Sequence, residues 1–330
     1  MKRTILCILV GGLIVASQTL FAQSKIAVMT APFGTSSYVM GSAVEELVRK
    51  HSTSIQVSHS ETPGVAYNII KLERKPELKK STIIASSPIL IAMGNNARGP
   101  FKTKMAVGLK AIGIYNGSVR FFVTRDPSIK NLQDLKGKKI AIGSKRQTGW
   151  GLGASWDLSL GAGLKNTDYD AQWIGTKAAI TSFKDRLVNV VIGGGYVNPS
   201  TGQFVPAPFF RELTATGQKL YYVEMGEKAV QRESRMLGIP PMSYTLKPEN
   251  TPGMDKPITV TLSILGWYAY TDFQEAEAYE LAKVLINHVG EFANYHGLGK
   301  LMSKELLCYG LDENTLHPGA YKAYKEADLL

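Results

Sequence analysis

The hydrophobic and polar positions of the first third of the chain follow two alternating periods, one typical of strands and one typical of helices. Short apolar runs at 25–29, 55–57 and 81–85 predict strands. After the first run, apolar residues recur at three- and four-residue spacing, which predicts a helix. They are Val39, Met40, Ala43, Val44 and Leu47. Strand, loop and helix in this order predict an α/β lobe with a mainly parallel sheet.

The rest of the chain continues this alternation with longer strands. The stretch 107–124 is predicted as two consecutive strands that are broken at Asn116-Gly117. A long strand is predicted at 258–270, and a helix follows it at 275–288. Two α/β lobes joined by long crossing strands account for this order.

The first 22 residues have the three-part pattern of a secretory signal peptide. Lys2 and Arg3 form a basic start, an apolar run covers 5–16, and cleavage is predicted after Ala22. The run is about a dozen residues long, whereas a membrane-spanning helix needs roughly 20. We expect removal of 1–22 and export of the remaining chain to the periplasm. A prior of about 150 residues per domain divides that chain into two lobes, predicted as 23–116 with 258–330 for lobe 1 and 117–257 for lobe 2.

The net charge of +11 does not indicate a nucleic-acid partner. Nucleic-acid binding needs basic residues gathered on one face or in a run. Here the basic residues are scattered and mixed with acidic ones, as where Glu73 and Glu77 stand among Lys71, Arg74 and Lys75. We therefore expect a mixed, solvated surface, no nucleic-acid partner and a monomeric protein. The excess positive charge favours the approach of anionic solutes.

The sequence contains no catalytic constellation that we recognise. The stretch 153–157, Gly-Ala-Ser-Trp-Asp, lacks the final glycine of a nucleophile elbow. The histidines do not have the spacing of a zinc site. The glycines of 149–153 match neither a dinucleotide-binding nor a phosphate-binding loop. We expect a protein that is not an enzyme, with no catalytic residue, no metal and no cofactor.

Four polar, glycine-containing loops follow predicted strands and precede predicted helices, and they are the candidate ligand site. In an open α/β sheet, ligands bind beyond the carboxyl ends of the strands, where helix N-termini present free N–H groups suited to carboxylates. Each loop taken alone is better explained as a capped turn, but four in succession predict a shared cleft for a small organic anion. The candidate residues are Gly34, Thr35, Ser36, Ser37, Tyr38, Gly64, Asn68, Ser86, Ser87, Gln147, Thr148 and Gly149.

Aromatic residues and one arginine complete the candidate site. Tyr115, Trp150 and Tyr196 are predicted to contact the apolar part of a ligand, although each is equally explained by core packing. Arg120 stands in an apolar strand and needs a partner there. A ligand carboxylate would serve in a bidentate pair, and an internal carboxylate would serve equally well.

These residues resemble the TAXI family, the solute receptors of one branch of the tripartite ATP-independent periplasmic (TRAP) transporters. The resemblance is carried by the loop 34–38, by Thr62-Pro63-Gly64 with Asn68, by 131–137 and above all by the C-terminal 316–324, Leu-His-Pro-Gly-Ala-Tyr-Lys-Ala-Tyr. It implies a type II periplasmic-binding fold that closes around its ligand and docks on the membrane subunits of a carrier. It also implies ligand contacts from 35–38, Gly64, Asn68 and the loop 143–148, and a ligand related to glutamate or a dicarboxylate.

The chain departs from the family pattern at three places in the implied site. Val65 stands where the family usually has serine, and Ala85 where it commonly has glutamine. Lys145 to Trp150 replaces a Gly-Ser-Gly-Thr loop. These changes remove polar groups and add a large aromatic ring, so a less polar or aromatic carboxylate becomes an alternative to glutamate. Two other functions stay open: a periplasmic receptor that serves a signalling protein, and a secreted enzyme on the same scaffold.

Overall fold

The computed structural model describes residues 23–145, 147–239 and 241–330. The predicted signal peptide, 1–22, lies outside the described residues. The strands are β1 Ser24–Met29, β2 Ile55–Ser60, β3 Thr82–Ser86, β4 Leu109–Thr124, β5 Lys139–Ile142, β6 Asp170–Trp173, β7 Val190–Val197, β8 Phe204–Pro206, β9 Tyr221–Val223, β10 Ser243–Leu246 and β11 Ile258–Tyr270. The α-helices are α1 Ser36–His51, α2 Val65–Arg74, α3 Pro88–Asn95, α4 Ala154–Trp156, α5 Thr176–Lys184, α6 Pro208–Thr214, α7 Glu227–Leu237, α8 Glu275–Asn287, α9 Lys304–Leu307 and α10 Pro318–Glu326.

The strands form one sheet in the order β2-β1-β3-β11-β4-β7-β5-β6. On one side of the sheet, β1 pairs in parallel with β2 and β3. On the other side, β5 pairs in parallel with β6 and β7. Between these groups β4 and β11 pair antiparallel to each other, while β11 pairs antiparallel to β3 and β4 pairs antiparallel to β7. Two parallel α/β units are therefore joined by a pair of long antiparallel strands.

The stretch predicted as two strands is a single strand, β4, which continues through Asn116 and Gly117. The break predicted at Asn116-Gly117 is therefore wrong. A Cβ atom on Gly117 would lie 2.6 Å from Leu262 Cδ1 and 2.9 Å from Val197 Cγ2, so the glycine allows close packing between strands rather than a turn. The only irregularity there is a shift of register against β11, which pairs Leu265 with Asn116 and Gly266 with Ile114.

The hydrophobic core is continuous across the two crossing strands. Tyr115 on β4 and Trp267 on β11 are both almost fully buried, and their ring centroids lie 4.9 Å apart.

No α-helix in the described residues combines the length and hydrophobicity that crossing a bilayer requires.

The C-terminal segment 316–324 fixes the last helix to the sheet. The His317 N–H donates to the Ala111 carbonyl at 2.9 Å, and the Tyr324 hydroxyl donates to the Ile112 carbonyl at 3.0 Å. Helix α10 also packs against α8, and Gly319 permits the close approach: a Cβ there would collide with the carbonyl oxygen of Glu275 and lie 2.9 Å from Tyr279 N. This segment therefore has a clear role in packing.

Replacing Gly319 with alanine tests this packing. We expect Gly319→Ala to lower the free energy of unfolding by about 1–3 kcal/mol, because the helices must separate to admit the methyl group. The measurement is chemical denaturation followed by circular dichroism. Gly290→Ala is the control, since a Cβ at that position meets no atom within 4 Å. Equal stability of the two variants would contradict the assignment.

Candidate ligand-binding cleft

A cavity of about 540 Å³ lies between the two α/β units. One wall consists of the N-terminal ends of α1, α2 and α3, and the opposite wall consists of the segment 147–150 with the N-terminal ends of α5 and α6. Ser118 on β4 and Ser263 on β11 contribute from the crossing strands. The volume is within the range of small-molecule sites, roughly 300–1,000 Å³.

The start of α1 supplies polar groups to the first wall. Gly34, with φ +79°, turns the chain into the helix, and the Thr35 side chain accepts a hydrogen bond from Tyr38 N at 3.3 Å. The N–H groups of Ser36 and Ser37 lie in the first turn, where a helix offers no backbone acceptor. The Ser37 and Tyr115 hydroxyls are 2.7 Å apart, which fixes Ser37 from behind.

Two more helices begin on the same wall. Gly64, with φ +149°, precedes α2, and the Ser87 side chain accepts a hydrogen bond from Leu90 N at 3.3 Å at the start of α3. Each of these N-termini carries a partial positive charge. The first wall therefore offers an anion several neutral hydrogen-bond donors and a favourable field.

The second wall is held by Gln147 and filled by Trp150. Gln147 Oε1 accepts from Ser144 N at 2.9 Å, and its Nε2 donates to the Thr176 hydroxyl at 3.2 Å, so the side chain fixes the loop to α5. The ring of Trp150 lies edge-to-face with Phe209 at a centroid distance of 5.1 Å. The ring also packs over Gly194, where a Cβ would lie 2.8 Å from Trp150 Cη2.

Two contacts join the opposite walls. The Tyr196 side chain on β7 lies next to Ser36 at the start of α1, and burial raises the pKa of this tyrosine. Arg98 Nη1 donates to the Met236 carbonyl at 3.0 Å, which links the loop after α3 to the end of α7. The two walls are thus in direct contact at both places.

Arg120 is engaged by internal carboxylates. Its Nε and Nη2 donate to the two oxygens of Asp157, both at 2.7 Å, and Nη2 also donates to Glu233 Oε1 at 2.9 Å. All three side chains are buried. Burial, and next the charge of Asp157, raise the pKa of Glu233, because the opposing effect of Arg120 is smaller. The sequence left open whether Arg120 pairs with a ligand carboxylate or with an internal one. In the structure its partners are the internal carboxylates of Asp157 and Glu233.

The predicted site residues divide into those that line the cleft and those that support it. The lining residues are Gly34, Thr35, Ser36, Ser37, Gly64, Ser87, Arg120, Gln147, Thr148, Gly149, Trp150 and Tyr196. The supporting residues are Tyr38, which packs on His59, Asn68, which donates to the carbonyls of Met29 and Thr30, Ser86, which is buried in β3, and Tyr115.

The sequence reasoning did not select a group of largely apolar residues that also line the cleft. They are Phe33, Ile89, Leu90, Trp156, Phe209, Leu237 and Leu265, together with the charged Lys177 and Glu212. For Phe209 a signal existed, because Pro208 at the first position of α6 marks a further helix N-terminus. Leu237, at the end of α7, and Leu265, within β11, had no such signal.

The Glu233→Gln variant tests the buried charge cluster. Because the pKa of Glu233 is raised in the folded state, the folded protein binds this proton more tightly than the unfolded chain does. As pH rises from the ordinary pKa of a glutamate to the pKa of Glu233 in the folded protein, the wild type should therefore lose free energy of unfolding. The Glu233→Gln variant should not show this loss. Urea denaturation across that range measures it, with Glu212→Gln as a control that removes a half-exposed carboxyl. Parallel curves for wild type and Glu233→Gln would contradict the prediction.

Comparison with known proteins gives a family and a fold. The family model described as NMT1-like matches residues 28–327. No curated protein sequence matches significantly. Similar solved structures include XAC2383 from Xanthomonas citri bound to ATP, with 11% identity, coverage of 93% of this chain and 100% of that chain, and a TM-score of 0.52.

Two further structures have the same overall likeness. The match to MatC from Rhodopseudomonas palustris with bound malate has 10% identity and a TM-score of 0.50. It covers 92% of this chain and 96% of the MatC chain. The match to the periplasmic sulfonate-binding protein SsuA, of a putative sulfonate ABC transporter from Methylobacillus flagellatus KT, has 13% identity. It covers 92% of this chain and 78% of that chain, with a TM-score of 0.50. At such low sequence identities, the structural likeness is evidence for the fold alone. It confirms the predicted type II periplasmic-binding fold with two α/β lobes. The chain belongs to the NMT1-like family and has the two-lobed fold of periplasmic solute-binding proteins.

Proposed function

We propose that this protein is a periplasmic receptor that binds a small organic carboxylate between its lobes and delivers it to the membrane subunits of a TRAP-type transporter. The observation that carries the proposal is the convergence of helix N-termini from both lobes on one cavity. Such an arrangement suits binding, because it offers directed hydrogen bonds without a nucleophile or a free base. The C-terminal motif and the loop 34–38, which resemble the TAXI receptors, support the choice of carrier.

The carboxylate of the ligand would bind at the first wall. The N–H groups of Ser36 and Ser37 and the hydroxyl of Ser87 are neutral donors at helix starts. A hydrogen bond from such a donor to a charged group contributes about 1.5–3 kcal/mol. Arg120 would not take this role, because Asp157 and Glu233 already engage its guanidinium group.

The remainder of the ligand would be apolar or aromatic. Trp150, Trp156 and Phe209 line the second lobe's side of the cavity, and Val65 and Leu265 are also in its lining. A second carboxylate or an ammonium group would be desolvated among these side chains, because Lys177 and Glu212, the charged residues on this side of the lining, are exposed to solvent. We therefore favour a less polar or aromatic monocarboxylate over glutamate.

The lobes would close around the ligand by bending at the crossing strands. We assign 23–116 with 258–330 to lobe 1 and 117–257 to lobe 2, which puts the boundary in the middle of β4 and at the start of β11. A ligand that touches both lobes stabilises the closed state by its differential affinity. The contacts of Tyr196 with Ser36 and of Arg98 with Met236 would then belong to the closed state.

A ligand screen tests the chemical class. We expect aromatic and branched aliphatic monocarboxylates to raise the thermal unfolding midpoint and glutamate to have little effect. Trp150→Ala should weaken binding of the best ligand about 10–100-fold, since burying a large apolar side chain against the ligand contributes about 1.5–3 kcal/mol. Titration calorimetry measures the affinity, and Tyr295→Ala, a partly exposed aromatic outside the cleft lining, is the control. Tight glutamate binding without a response to aromatic acids would overturn this choice of ligand.

Small-angle scattering tests closure. The radius of gyration should be smaller with saturating ligand than without it. Arg98→Ala removes one contact between the lobes, so the ligand-free variant should have a larger mean radius than the wild type, and saturating ligand should restore the smaller one. A radius that is unchanged by saturating ligand in both proteins would count against a closing cleft.

A further inference from the structure

We propose that His51, His288 and Glu291 form a binding site for a divalent transition metal of the zinc type on the surface of the first lobe. His51 is the last residue of α1, His288 caps the end of α8, and Glu291 lies in the short 3₁₀-helix Val289–Asn294. One potential ligand atom from each residue lies within 4.8 Å of the others. Helix α1 packs against both α8 and this 3₁₀-helix, so the three residues are brought together by elements that contact one another in the fold.

The side chains are oriented towards a common point. Glu291 Oε1 lies 2.8 Å from His51 Nε2 and 3.0 Å from His288 Nδ1. The two imidazole rings stack with centroids 3.4 Å apart and an interplanar angle of 9°. His51 Nε2 is buried and has no aligned hydrogen bond, because its contact with Glu291 does not follow the direction of an N–H bond. In the tautomer that carries its proton on Nδ1, this nitrogen would present its lone pair to a metal ion.

The chemistry of the three groups fits zinc. Two imidazole nitrogens and one carboxylate oxygen form a three-ligand set that leaves a fourth, tetrahedral position to water. Lys50 Nζ contacts the other oxygen of Glu291, Oε2, at 2.6 Å and fixes the carboxylate from outside, and a bound metal would replace the hydrogen bond that joins Oε1 to His288 Nδ1.

The site is separate from the ligand-binding cleft. The cleft contacts the start of α1, whereas His51 ends this 16-residue helix, which places the two about 24 Å apart along its axis. A bound metal would fasten the end of α1 to the end of α8 and stabilise the first lobe. The proposal does not depend on the identity of the cleft ligand.

Titration of the tag-free mature protein with ZnCl₂ tests the proposal, with calorimetry for stoichiometry and Co²⁺ absorption for the coordination sphere. We expect one saturable zinc per chain, a higher thermal midpoint, and the visible bands of tetrahedral cobalt. His51→Gln and Glu291→Gln should each weaken binding more than about tenfold, since even outer partners of a metal ligand contribute 10–100-fold. His296→Gln, which removes an exposed histidine outside the group, should bind zinc like the wild type.

Three results would count against the proposal. The first is the absence of saturable zinc binding by the wild type. The second is equal binding by the wild type and by a folded His51→Gln or Glu291→Gln variant, with circular dichroism as the check on folding. Loss of zinc binding in His296→Gln as well would also count against this site, because it would assign the metal to histidines in general.

Discussion

The antiparallel pairing of β4 with β11 is the interaction on which the rest of the structure depends. Its register runs from Leu109 opposite Tyr270 to Val119 opposite Leu262, and it is interrupted only by local shifts. Each parallel group of strands attaches to one side of this pair, through β3 to β11 and through β7 to β4. The carboxyl ends of the two parallel groups consequently border the same cavity, and the loops that follow them supply its walls.

The charges around the cavity are arranged so that an anion meets neutral donors rather than a free cation in the interior. Arg120 would otherwise be the strongest anion-binding group, but Asp157 and Glu233 engage it. A buried guanidinium with two carboxylates is costly unless the excess charge is reduced, and the raised pKa of Glu233 reduces it. The cluster thus connects β4 to α7, and in the proposed function the helix starts at Ser36 and Ser87 would bind the anion.

Local pattern was sufficient to predict much of the fold and many of the candidate residues. The strand 258–270 has the predicted bounds, and the helix after the first strand begins within the loop 34–38. These features depend on near neighbours in the chain: period-two or period-3.6 hydrophobicity, a capping hydroxyl at Thr35, and glycines where φ is positive. The same local logic failed at Asn116-Gly117, which has the composition of a turn but serves close packing between strands.

The features that local pattern could not predict are those that join distant parts of the chain. Arg120 is partnered by Glu233 across 113 positions, and no spacing rule connects them. Leu237 and Leu265 reach the cavity from an element end and a strand interior that carry no binding signal. His51 meets His288 and Glu291 only because α1 packs against α8. Such contacts are set by tertiary packing, which periodicity in one segment does not encode.

The most direct test of the central claim is a crystal structure of the mature protein in complex with the best ligand from a carboxylate screen. The account predicts that the ligand lies between the lobes, with its carboxylate within hydrogen-bonding distance of the N–H groups at the start of α1 and its apolar part against Trp150. A ligand bound outside this cleft, or one whose carboxylate pairs with Arg120 in place of Asp157, would contradict the account.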